Sequence, residues 1–343
     1  MLVQGCWGVT MEKAFDVCIV GAGPAGLQAA YLLRKKGLNV CLLERGPAVS
    51  GFFRRFPRHR SFISINKVHT GLADEDAQMR YDWNSLLNDE GLKLGSRTTR
   101  YFPKADDYVS YLEDFAVLLG NSIVYDAEVV QISKSDGTFE VTSKDGRQFY
   151  AAHVIVSAGV TKPWLPDVPG IELTENYMEF DATQERFNNK RVLILGKGNA
   201  AFECAQQMLE HASAIHVMSP NPIKFSWDTH FVGHVRAVNV QFMDTYQLKS
   251  QNAVVDAAPT RIEKDGDEYV VTARMTAAEG HDIVLRYDHV ICCTGFRFDA
   301  EIFDEAIRPS LKHFDKFPAM TSQWECEDTP NLWFAGTLSL IHI

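Results

Sequence analysis

The stretch FDVCIVGAGPAGLQAAYLLRKKGLNVCLLERG, residues 15–46, decides the fold of this 343-residue chain. Its apolar run DVCIV is typical of a buried parallel strand and leads directly into Gly21-x-Gly23-x-x-Gly26. An alanine- and leucine-rich helix follows, and then a second strand, NVCLLE, which ends in Glu44. Strand, glycine turn, helix, strand and acid in this order predict a Rossmann-type dinucleotide-binding unit rather than a glycine turn without a ligand.

Each part of this motif has a physical role in holding a dinucleotide. Gly21 permits the tight turn, Gly23 lets the backbone approach a pyrophosphate, and Gly26 lets the helix pack on the strand. The N-terminus of the helix offers free N–H groups and positive potential to the phosphates. Glu44 is placed to accept the hydroxyl groups of an adenosine ribose. The residues that we assign to this first site are Gly21, Gly23, Pro24, Ala25, Gly26, Glu44 and Arg45.

The chain contains a second copy of this pattern. The stretch KRVLILGKGNAAFECAQQMLEHASAIHVMSPN reads as strand, Gly196-x-Gly198-x-x-Ala201, helix and strand. The position that corresponds to Glu44 is Ser219, which does not repel a 2′-phosphate as an acid does. Two such units imply two nucleotides, FAD in the first and a nicotinamide cofactor in the second, with NADPH favoured over NADH. The residues assigned to the second site are Gly196, Gly198, Asn199, Ala200 and Ser219.

The remaining segments complete a plan of two domains. The stretch from Ser122 to Gly159 alternates apolar and polar residues around two Asp-Gly turns, which predicts a β-meander. HVIVSAG and HVICCTG each place a glycine after a strand, as expected where the chain crosses between nucleotide-binding domains. We therefore predict an α/β fold of two Rossmann-like domains, the second inserted into the first. The predicted limits are 11–162 and 294–337 for the FAD-binding domain and 163–293 for the NAD(P)-binding domain.

Composition limits the classes of function that this chain can have. Its net charge is −10, so its long-range field repels nucleic acid and anionic membrane surfaces. No apolar run is long enough to span a bilayer. The seven cysteines include no C-x-x-C and no metal-ligand spacing, so we predict no metal site. We expect Cys292 and Cys293 to be core residues on opposite faces of a strand.

The quoted motifs resemble a known group of proteins. The overall plan is similar to that of the two-dinucleotide-binding-domain flavoproteins, the group of flavin monooxygenases and thioredoxin reductases. GAGPAGLQ, PRHR, ISINK with HTG, DWNSLL, YFP and DTYQLKS resemble in particular the family of endoplasmic-reticulum flavoproteins associated with degradation. The resemblance extends from about Phe15 to Gly336. It implies an FAD-dependent, NAD(P)H-linked oxidoreductase with an unidentified electron acceptor and with chaperone or disulfide-reductase partners in protein quality control.

Two other functions stay open at this stage. One is a flavin-containing monooxygenase-like enzyme, and the other is a flavin-holding chaperone adaptor with little turnover. The chain lacks the C-x-x-C that thioredoxin-reductase chemistry needs beside the flavin. Tyr177 stands near the place where the monooxygenase pattern F-x-G-x-x-x-H has its histidine. This difference argues against ordinary oxygenation of nitrogen or sulfur.

The resemblance also assigns residues outside the two glycine motifs. It implies that Asn66, in the basic run FPRHRSFISINKVHTG, faces the flavin, where we predict a catalytic role. It implies that Arg60 meets an FAD phosphate, although pairing with surface carboxylates is the alternative for the arginines of this run. Val129 is placed by the adenine through its backbone. Three glycines that follow strands are also assigned to cofactor binding: Gly159, Gly295 and Gly336.

The two ends of the chain and its location complete the predictions. The start lacks the pattern of a signal peptide, and Met11 is an alternative start. The last six residues, LSLIHI, match the translation of a transposon end used in sequencing libraries. We therefore predict that residues 338–343 are a non-native tail. The endoplasmic-reticulum lumen follows from the resemblance and a cytoplasmic location from the absent signal peptide, and the sequence does not decide between them.

Overall fold

The computed structural model describes residues 15–160, 162–226, 234–248, 251–276, 280–312 and 316–339. The alternative start at Met11 and residues 340–343 of the predicted tail lie outside these ranges. Within them, the chain forms two compact units. The first unit spans 15–55, 64–160 and 298–339, and the second spans 56–63 and 162–297.

The two units and the predicted domains begin and end at slightly different residues. The units change at 161/162 and 297/298, and the predicted domains change at 162/163 and 293/294. A larger difference concerns residues 56–63, which the prediction placed in the FAD-binding domain and which group with the second unit. The reason is packing, because Phe56 stacks on Tyr177 with ring centroids 5.5 Å apart. Arg58 also donates a hydrogen bond of 2.7 Å to the carbonyl oxygen of Phe180.

The first unit is built on a parallel sheet that continues into a meander. Its first elements are β1 (Phe15–Val20), α1 (Pro24–Lys35), β2 (Val40–Leu43), α2 (Gly51–Arg55), α3 (Glu75–Met79), α4 (Ala105–Val117), β3 (Ile123–Val124), β4 (Val129–Ser135), β5 (Thr138–Ser143) and β6 (Gln148–Val156). The sheet order is β3-β2-β1-β6-β5-β4. The strands β3, β2, β1 and β6 are parallel, whereas β6, β5 and β4 are antiparallel neighbours. The predicted meander is therefore confirmed.

Local sequence explains these elements of the first unit. Every residue of β2 is buried, as expected for a parallel strand that is covered on both faces. The turn between β4 and β5 contains Asp136 and Gly137 with φ of 50° and 83°, the left-handed values that a two-residue hairpin turn requires. The core of this unit includes Cys18, Leu43, Phe139, Val154 and Phe334.

The second unit repeats the parallel arrangement and adds a meander of its own. Its elements are β7 (Lys162–Pro163), β8 (Glu175–Asn176), β9 (Arg191–Leu195), α5 (Asn199–Met208), β10 (Ala214–Ser219), α6 (Gln241–Leu248), β11 (Ala253–Asp265), β12 (Glu268–Met275), β13 (Asp282–Tyr287), β14 (His289–Cys292) and β15 (Phe296–Arg297). The main sheet has the order β13-β12-β11-β10-β9-β14-β8, and β7 pairs with β15 separately. The antiparallel strands β11, β12 and β13 form a meander that the sequence analysis did not anticipate.

The chain then returns to the first unit. Its last strands are β16 (Leu311–Lys312), β17 (Phe317–Pro318) and β18 (Leu332–Phe334), and β18 pairs parallel with β6. In the second unit, Cys292 packs in one apolar cluster and Cys293 in another, as expected for adjacent residues on opposite faces. The two units together confirm the predicted fold class of two Rossmann-like α/β halves. In the described part of the chain, no helix has both the length and the apolar character that crossing a membrane demands.

Candidate dinucleotide-binding sites

The first glycine turn is fixed by close backbone contacts. Gly21 has φ of 100°, and its N–H donates to the carbonyl oxygen of Leu43 at 2.8 Å. A Cβ on Gly21 would lie 3.0 Å from the backbone of Ser157, and one on Gly26 would lie 2.0 Å from the Gly21 carbonyl oxygen. These positions therefore require glycine, because a side chain on Gly21 would collide with the residues after β6 and one on Gly26 would push α1 away from the turn.

The middle glycine of the motif, Gly23, faces open space. No atom lies within 4 Å of the position of a Cβ on Gly23, which precedes the first turn of α1. No side chain caps this end of the helix, and its first turn carries no acidic residue. The N–H groups and the positive end of the helix dipole are thus left for a ligand. Pro24 and Ala25 form the start of this turn, and Gly336 lies against it, since a Cβ there would be 2.9 Å from Ala25 Cβ.

The predicted ribose acid lies beside this crevice. Glu44 is 6% exposed and accepts hydrogen bonds from the N–H groups of Ala22 at 2.9 Å and Gly46 at 3.0 Å. Nearby, the Ser50 N–H donates to the Ala22 carbonyl oxygen at 3.3 Å, and the buried Ser50 hydroxyl has no hydrogen-bond partner within the described ranges. An open helix end, a held carboxylate and an unpartnered hydroxyl fit a large polar ligand such as FAD.

The other predicted FAD residues of the first unit lie on neighbouring elements. Arg45 is exposed next to Glu44, and Gly159 follows β6 with φ of 70°. Val129 begins β4, and the loop before that strand contacts Glu44, whose carbonyl oxygen accepts from the Ala127 N–H at 2.8 Å. The first unit therefore brings most of the predicted FAD residues to one end of its parallel sheet.

Asn66 is also in the first unit and is held firmly. It is 4% exposed, its N–H donates to the Tyr101 carbonyl oxygen at 2.9 Å, and its Nδ2 donates to the Thr98 carbonyl oxygen at 2.8 Å. Asn84 supports the preceding residue by donating to the Ile65 carbonyl oxygen at 3.2 Å. The side chain therefore has a fixed position, with its Oδ1 lone pairs not used by these bonds.

The second unit repeats the backbone of the first site. Gly196 has φ of 121°, and its N–H donates to the Met218 carbonyl oxygen at 2.8 Å. A Cβ on Gly196 would lie 2.2 Å from the carbonyl oxygen of Cys293. Gly198 precedes α5, which likewise has no side-chain cap and no acidic residue in its first turn. This helix end offers N–H groups to a second anionic ligand.

The side chain of Asn199, beside this second turn, bonds to a neighbouring segment of the protein. The Asn199 side chain accepts from the N–H of Arg236 at 2.9 Å and from Asn239 Nδ2 at 2.7 Å, and it donates to the His234 carbonyl oxygen at 2.8 Å. Asn199 is thus available to a phosphate through its backbone N–H, as is Ala200 in the next position. Its side chain instead ties residues 234–239 to α5.

The region around Ser219 contains a charge pair that the sequence analysis missed. Lys197 lies within the glycine turn, and its side chain is 4% exposed. Its Nζ donates to the carbonyl oxygens of Ser219 and Asn221 at 3.1 Å and also pairs with the carboxylate of Asp256. Ser219 and Asp256 are direct neighbours on β10 and β11. An acid therefore lies beside the predicted 2′-phosphate position, with its charge offset by Lys197.

Two predicted FAD residues lie in the second unit rather than the first. Arg60 has φ of 60°, and its N–H donates to the Pro57 carbonyl oxygen at 3.0 Å. Gly295 has φ of 96°, and its carbonyl oxygen accepts from the Trp164 N–H at 2.9 Å, beside the pair formed by β7 and β15. Their assignment to FAD stays a prediction.

A buried carboxyl group lies on α5. Glu203 is 8% exposed, the Tyr177 hydroxyl donates to its Oε2 at 3.2 Å, and His59 Nδ1 lies 3.5 Å from the same oxygen. Burial raises the pKa of Glu203 to about 7, although the Tyr177 hydrogen bond opposes part of this shift. Burial also raises the pKa of Tyr177. Sequence reasoning did not identify Glu203, because a glutamate within a helix carries no local sign that it will be buried.

Among the described residues, Cys18 and Cys41 are direct neighbours on β1 and β2 of the first unit, where the hydrogen bond from Cys41 and burial raise the pKa of the Cys18 thiol. Cys204 and Cys293 lie close in the second unit, with their sulfur atoms 3.8 Å apart, and both are buried. Burial raises the pKa of Cys293, which disfavours a reactive thiolate. Among the described residues, no group of three or more His, Cys, Asp and Glu side chains is arranged to hold a metal ion.

Comparison with known proteins agrees with this geometry. A model of the family described as pyridine nucleotide-disulphide oxidoreductase matches residues 18–336. FAD-dependent oxidoreductase domain-containing protein 2 of Danio rerio is 35% identical, over 97% of this chain and 56% of that protein. The protein of the same name from Mus musculus is 35% identical, over 94% of this chain and 53% of that protein. The chain therefore spans about half the length of these two relatives.

A solved structure supports the fold. Bacillithiol disulfide reductase from Staphylococcus aureus matches with a TM-score of 0.75 at 17% sequence identity, over 95% of this chain and 91% of that one. At this identity the likeness concerns the fold alone, and it confirms the prediction of two dinucleotide-binding halves in one chain.

Proposed function

The chain belongs to the pyridine nucleotide-disulphide oxidoreductase family, and on this premise we propose that it is an FAD-dependent oxidoreductase. NADPH would be its reductant, and a separate molecule would accept the electrons. The observation that carries the proposal is the repeated crevice, in which a glycine turn leads into a helix end without a side-chain cap in each unit. Two such anion-binding ends in one chain suit two dinucleotides.

In this proposal, each part of the first site has a binding role. The N–H groups at the start of α1 hold the pyrophosphate, and open space at Gly23 lets the phosphates approach. Glu44 accepts hydrogen bonds from the ribose, while Ala22 and Gly46 keep its carboxylate in place. Asn66 is held by two hydrogen bonds and presents its amide oxygen as an acceptor at the flavin edge. Bound FAD would supply the hydride-accepting and electron-passing chemistry.

The charges around the second site favour NADPH as the nucleotide. Ser219 at the end of β10 carries no charge that would repel a 2′-phosphate. Asp256 lies beside it, and its pairing with Lys197 offsets the negative charge. We therefore place the 2′-phosphate at Ser219 and the pyrophosphate at the start of α5.

We extend the proposal to a cellular role that follows from the sequence resemblance. This role is the reduction of substrates in protein quality control of the endoplasmic reticulum, together with a disulfide-reductase or chaperone partner. Fractionation of cells that express the complete gene would test it, because recovery of the protein only in the cytosol would contradict the luminal role.

Anaerobic mixing of the FAD-loaded chain with NADPH tests the central proposal. The absorbance of oxidised flavin should be lost, and it should be lost faster with NADPH than with NADH at equal concentration. Steady oxidation of NADPH in the presence of an added acceptor would support an enzyme. A flavin that stays oxidised with both nucleotides would overturn the proposal and favour a flavin-holding adaptor.

A further inference from the structure

A cavity of about 540 Å³ lies beside Asn66 in the first unit. Its walls come mainly from residues 66–70, and Leu72, Tyr81, Thr99 and Tyr101 complete them. A volume of this size is within the range of small-molecule pockets in proteins. All of its lining residues belong to the first unit.

The floor of the cavity is rigid. The buried side chain of Asn66 is bonded to Thr98, and its backbone N–H is bonded to Tyr101. Ser64 donates to Asn84 Oδ1 at 2.7 Å, which fixes the segment that leads into the cavity wall. A ligand that entered would therefore meet a preformed surface, which lowers the entropic cost of binding.

The charge of the lining is positive. Lys67 supplies an ammonium group, His69 adds an imidazole ring, and no carboxylate lines the cavity. The Lys67 ammonium lies over the rings of Tyr81 and Trp83, 5.3 Å and 5.8 Å from their centroids. Within the residues that the structure describes, no carboxylate pairs with it. Ring faces are weak partners for an ammonium, so its N–H groups remain able to bond an anion.

A second cavity in the same unit differs from this one, because acidic residues line it. That cavity has about 570 Å³, and its lining includes Asp106, Asp107 and Asp114. Its basic residues are matched by acids, since Arg97 pairs directly with Asp114 and Lys93 lies 3.5 Å from the carboxylate of Glu75. In a chain of net charge −10, the acid-free cavity at Asn66 is therefore the one of these two that favours an anion.

The lining is also aromatic. Tyr81 and Tyr101 are 45% and 55% exposed, and Trp83 next to Lys67 is 69% exposed. Exposed aromatic faces of this kind gain free energy when a flat apolar group covers them. A ring between these side chains would place an attached anionic group within reach of Lys67.

We propose that this cavity binds a small molecule that combines a planar ring with an anionic group, and that this molecule is of the class of the electron acceptor. The binding part stands on the cavity itself, whereas the acceptor part rests on the proposed function. The position of Asn66 on the cavity floor connects the two parts.

Three probes that separate the ring from the charge test the binding part by calorimetry on the full, FAD-loaded chain at low ionic strength. Naphthalene-2-sulfonate carries ring and charge, naphthalene-2-sulfonamide carries the ring alone, and methanesulfonate carries the charge alone. We expect the sulfonate to bind about tenfold more tightly than the sulfonamide, as for one hydrogen bond to a charged group. We expect no measurable binding of methanesulfonate. High salt should weaken the sulfonate selectively.

Substitutions at Lys67 locate the binding. Lys67→Met should reduce sulfonate affinity to that of the sulfonamide, whereas Lys67→Arg should keep most of it. Lys144→Met is the matched control, since Lys144 is an exposed lysine of the same unit that pairs with Glu128. Equal binding of the two naphthalene probes, or no effect of Lys67→Met, would overturn the inference. Tight methanesulfonate binding would overturn the ring requirement.

Reduction of the flavin by NADPH, measured on the same preparation, tests the proposed function separately from probe binding. If NADPH reduces the flavin but no probe binds at millimolar concentration, the cavity inference fails and the proposed function stands. If the sulfonate binds as expected but the flavin is never reduced, the cavity stands as a binding site and its role for an acceptor fails.

Discussion

The two nucleotide-binding halves share one backbone and differ in the side chains placed on it. In each half the first glycine donates to the end of the second strand at 2.8 Å, from Gly21 to Leu43 and from Gly196 to Met218. In each half the residue after a neighbouring parallel strand donates to the end of the first strand. The Ser157 N–H donates to the Val20 carbonyl oxygen at 2.9 Å, and the Cys293 N–H donates to the Leu195 carbonyl oxygen at 2.7 Å. The backbone requirement is therefore the same in both halves.

The side chains at corresponding positions separate the two halves. The pairs are Ala22 and Lys197, Pro24 and Asn199, Gly26 and Ala201, Gln28 and Glu203, and Glu44 and Ser219. In the first half four of these residues leave the helix end open and place an acid beside it, and Gln28 exchanges hydrogen bonds with the backbone of Leu87. In the second half three of them bind neighbouring segments: Lys197 to β11, Asn199 to residues 234–239, and Glu203 to Tyr177. The comparison teaches that the glycine frame sets the fold, whereas the variable positions set the ligand and the local tethers.

The largest expected effect comes from the third glycine position. Gly26→Ala places a Cβ 2.0 Å from the Gly21 carbonyl oxygen, so α1 must move away from the turn. We expect a loss of roughly 3 kcal/mol in the free energy of unfolding, as for overpacking of a core, together with loss of bound flavin. Urea unfolding and the flavin content of the purified protein measure the two effects.

The second half supplies the matched control for that change. Ala201 occupies the corresponding position and is fully buried, so this half already accommodates a Cβ there. Ala201→Gly should cost only about 1 kcal/mol, which is the difference in helix propensity between the two residues. Equal losses from the two substitutions would contradict the claim that the halves differ at this position.

The middle glycine should separate flavin binding from stability. A Cβ on Gly23 would meet no atom within 4 Å, so Gly23→Val should lower the free energy of unfolding of the flavin-free protein by no more than about 1 kcal/mol, the cost of losing a glycine N-cap. The valine would instead occupy the space through which a pyrophosphate approaches the backbone, and we expect no bound flavin. Absorbance of the purified variant and its thermal unfolding in the absence of FAD measure this. A variant that retained a full complement of flavin would contradict the assignment of Gly23 to the pyrophosphate site.

The sequence predicted the parts of this comparison that depend on local pattern. Strand, glycine turn and helix are contiguous, so both copies and the first meander could be located from the residues alone. Contacts between distant residues could not be located in this way. Arg58 reaches Phe180 across 122 residues, and Lys197 reaches Asp256 across 59. The grouping of residues 56–63 with the second unit and the acid beside Ser219 depend on such contacts.

Glu203 is another residue whose environment local sequence did not reveal, and it gives a prediction about pH. Its pKa is raised from an ordinary value of 4.5 to about 7, so the folded state binds a proton more strongly than the unfolded state. Its contribution to stability is therefore favourable at acidic pH and is lost as the pH rises from about 4.5 to about 7. Glu203→Gln keeps an acceptor for Tyr177 and makes the position like Gln28 of the first half. It should raise the free energy of unfolding at pH 8 by about 3 kcal/mol and have little effect at pH 4.5.

An exposed glutamate near the same helix is the control for this effect. Glu210 lies just beyond α5 and is exposed, so Glu210→Gln should change the free energy of unfolding by less than about 0.5 kcal/mol at either pH. Denaturant titrations of the three proteins at both pH values give the comparison. A Glu203→Gln variant that was less stable than the parent at pH 8 would show that the ionised carboxylate is stabilised by its neighbours.

The smallest expected effects concern the choice of nucleotide, where the halves differ through Glu44 and Ser219. Ser219→Asp makes the second site resemble the first, and we expect the ratio of flavin reduction rates with NADPH and NADH to fall about tenfold. Asp256→Asn should act in the opposite direction, since it leaves the Lys197 charge unbalanced beside Ser219. We expect that ratio to rise about threefold, the size of effect typical of a partly exposed ion pair. Stopped-flow reduction of the bound flavin by each nucleotide gives both ratios, and an unchanged ratio in both variants would mean that the 2′-phosphate binds away from Ser219.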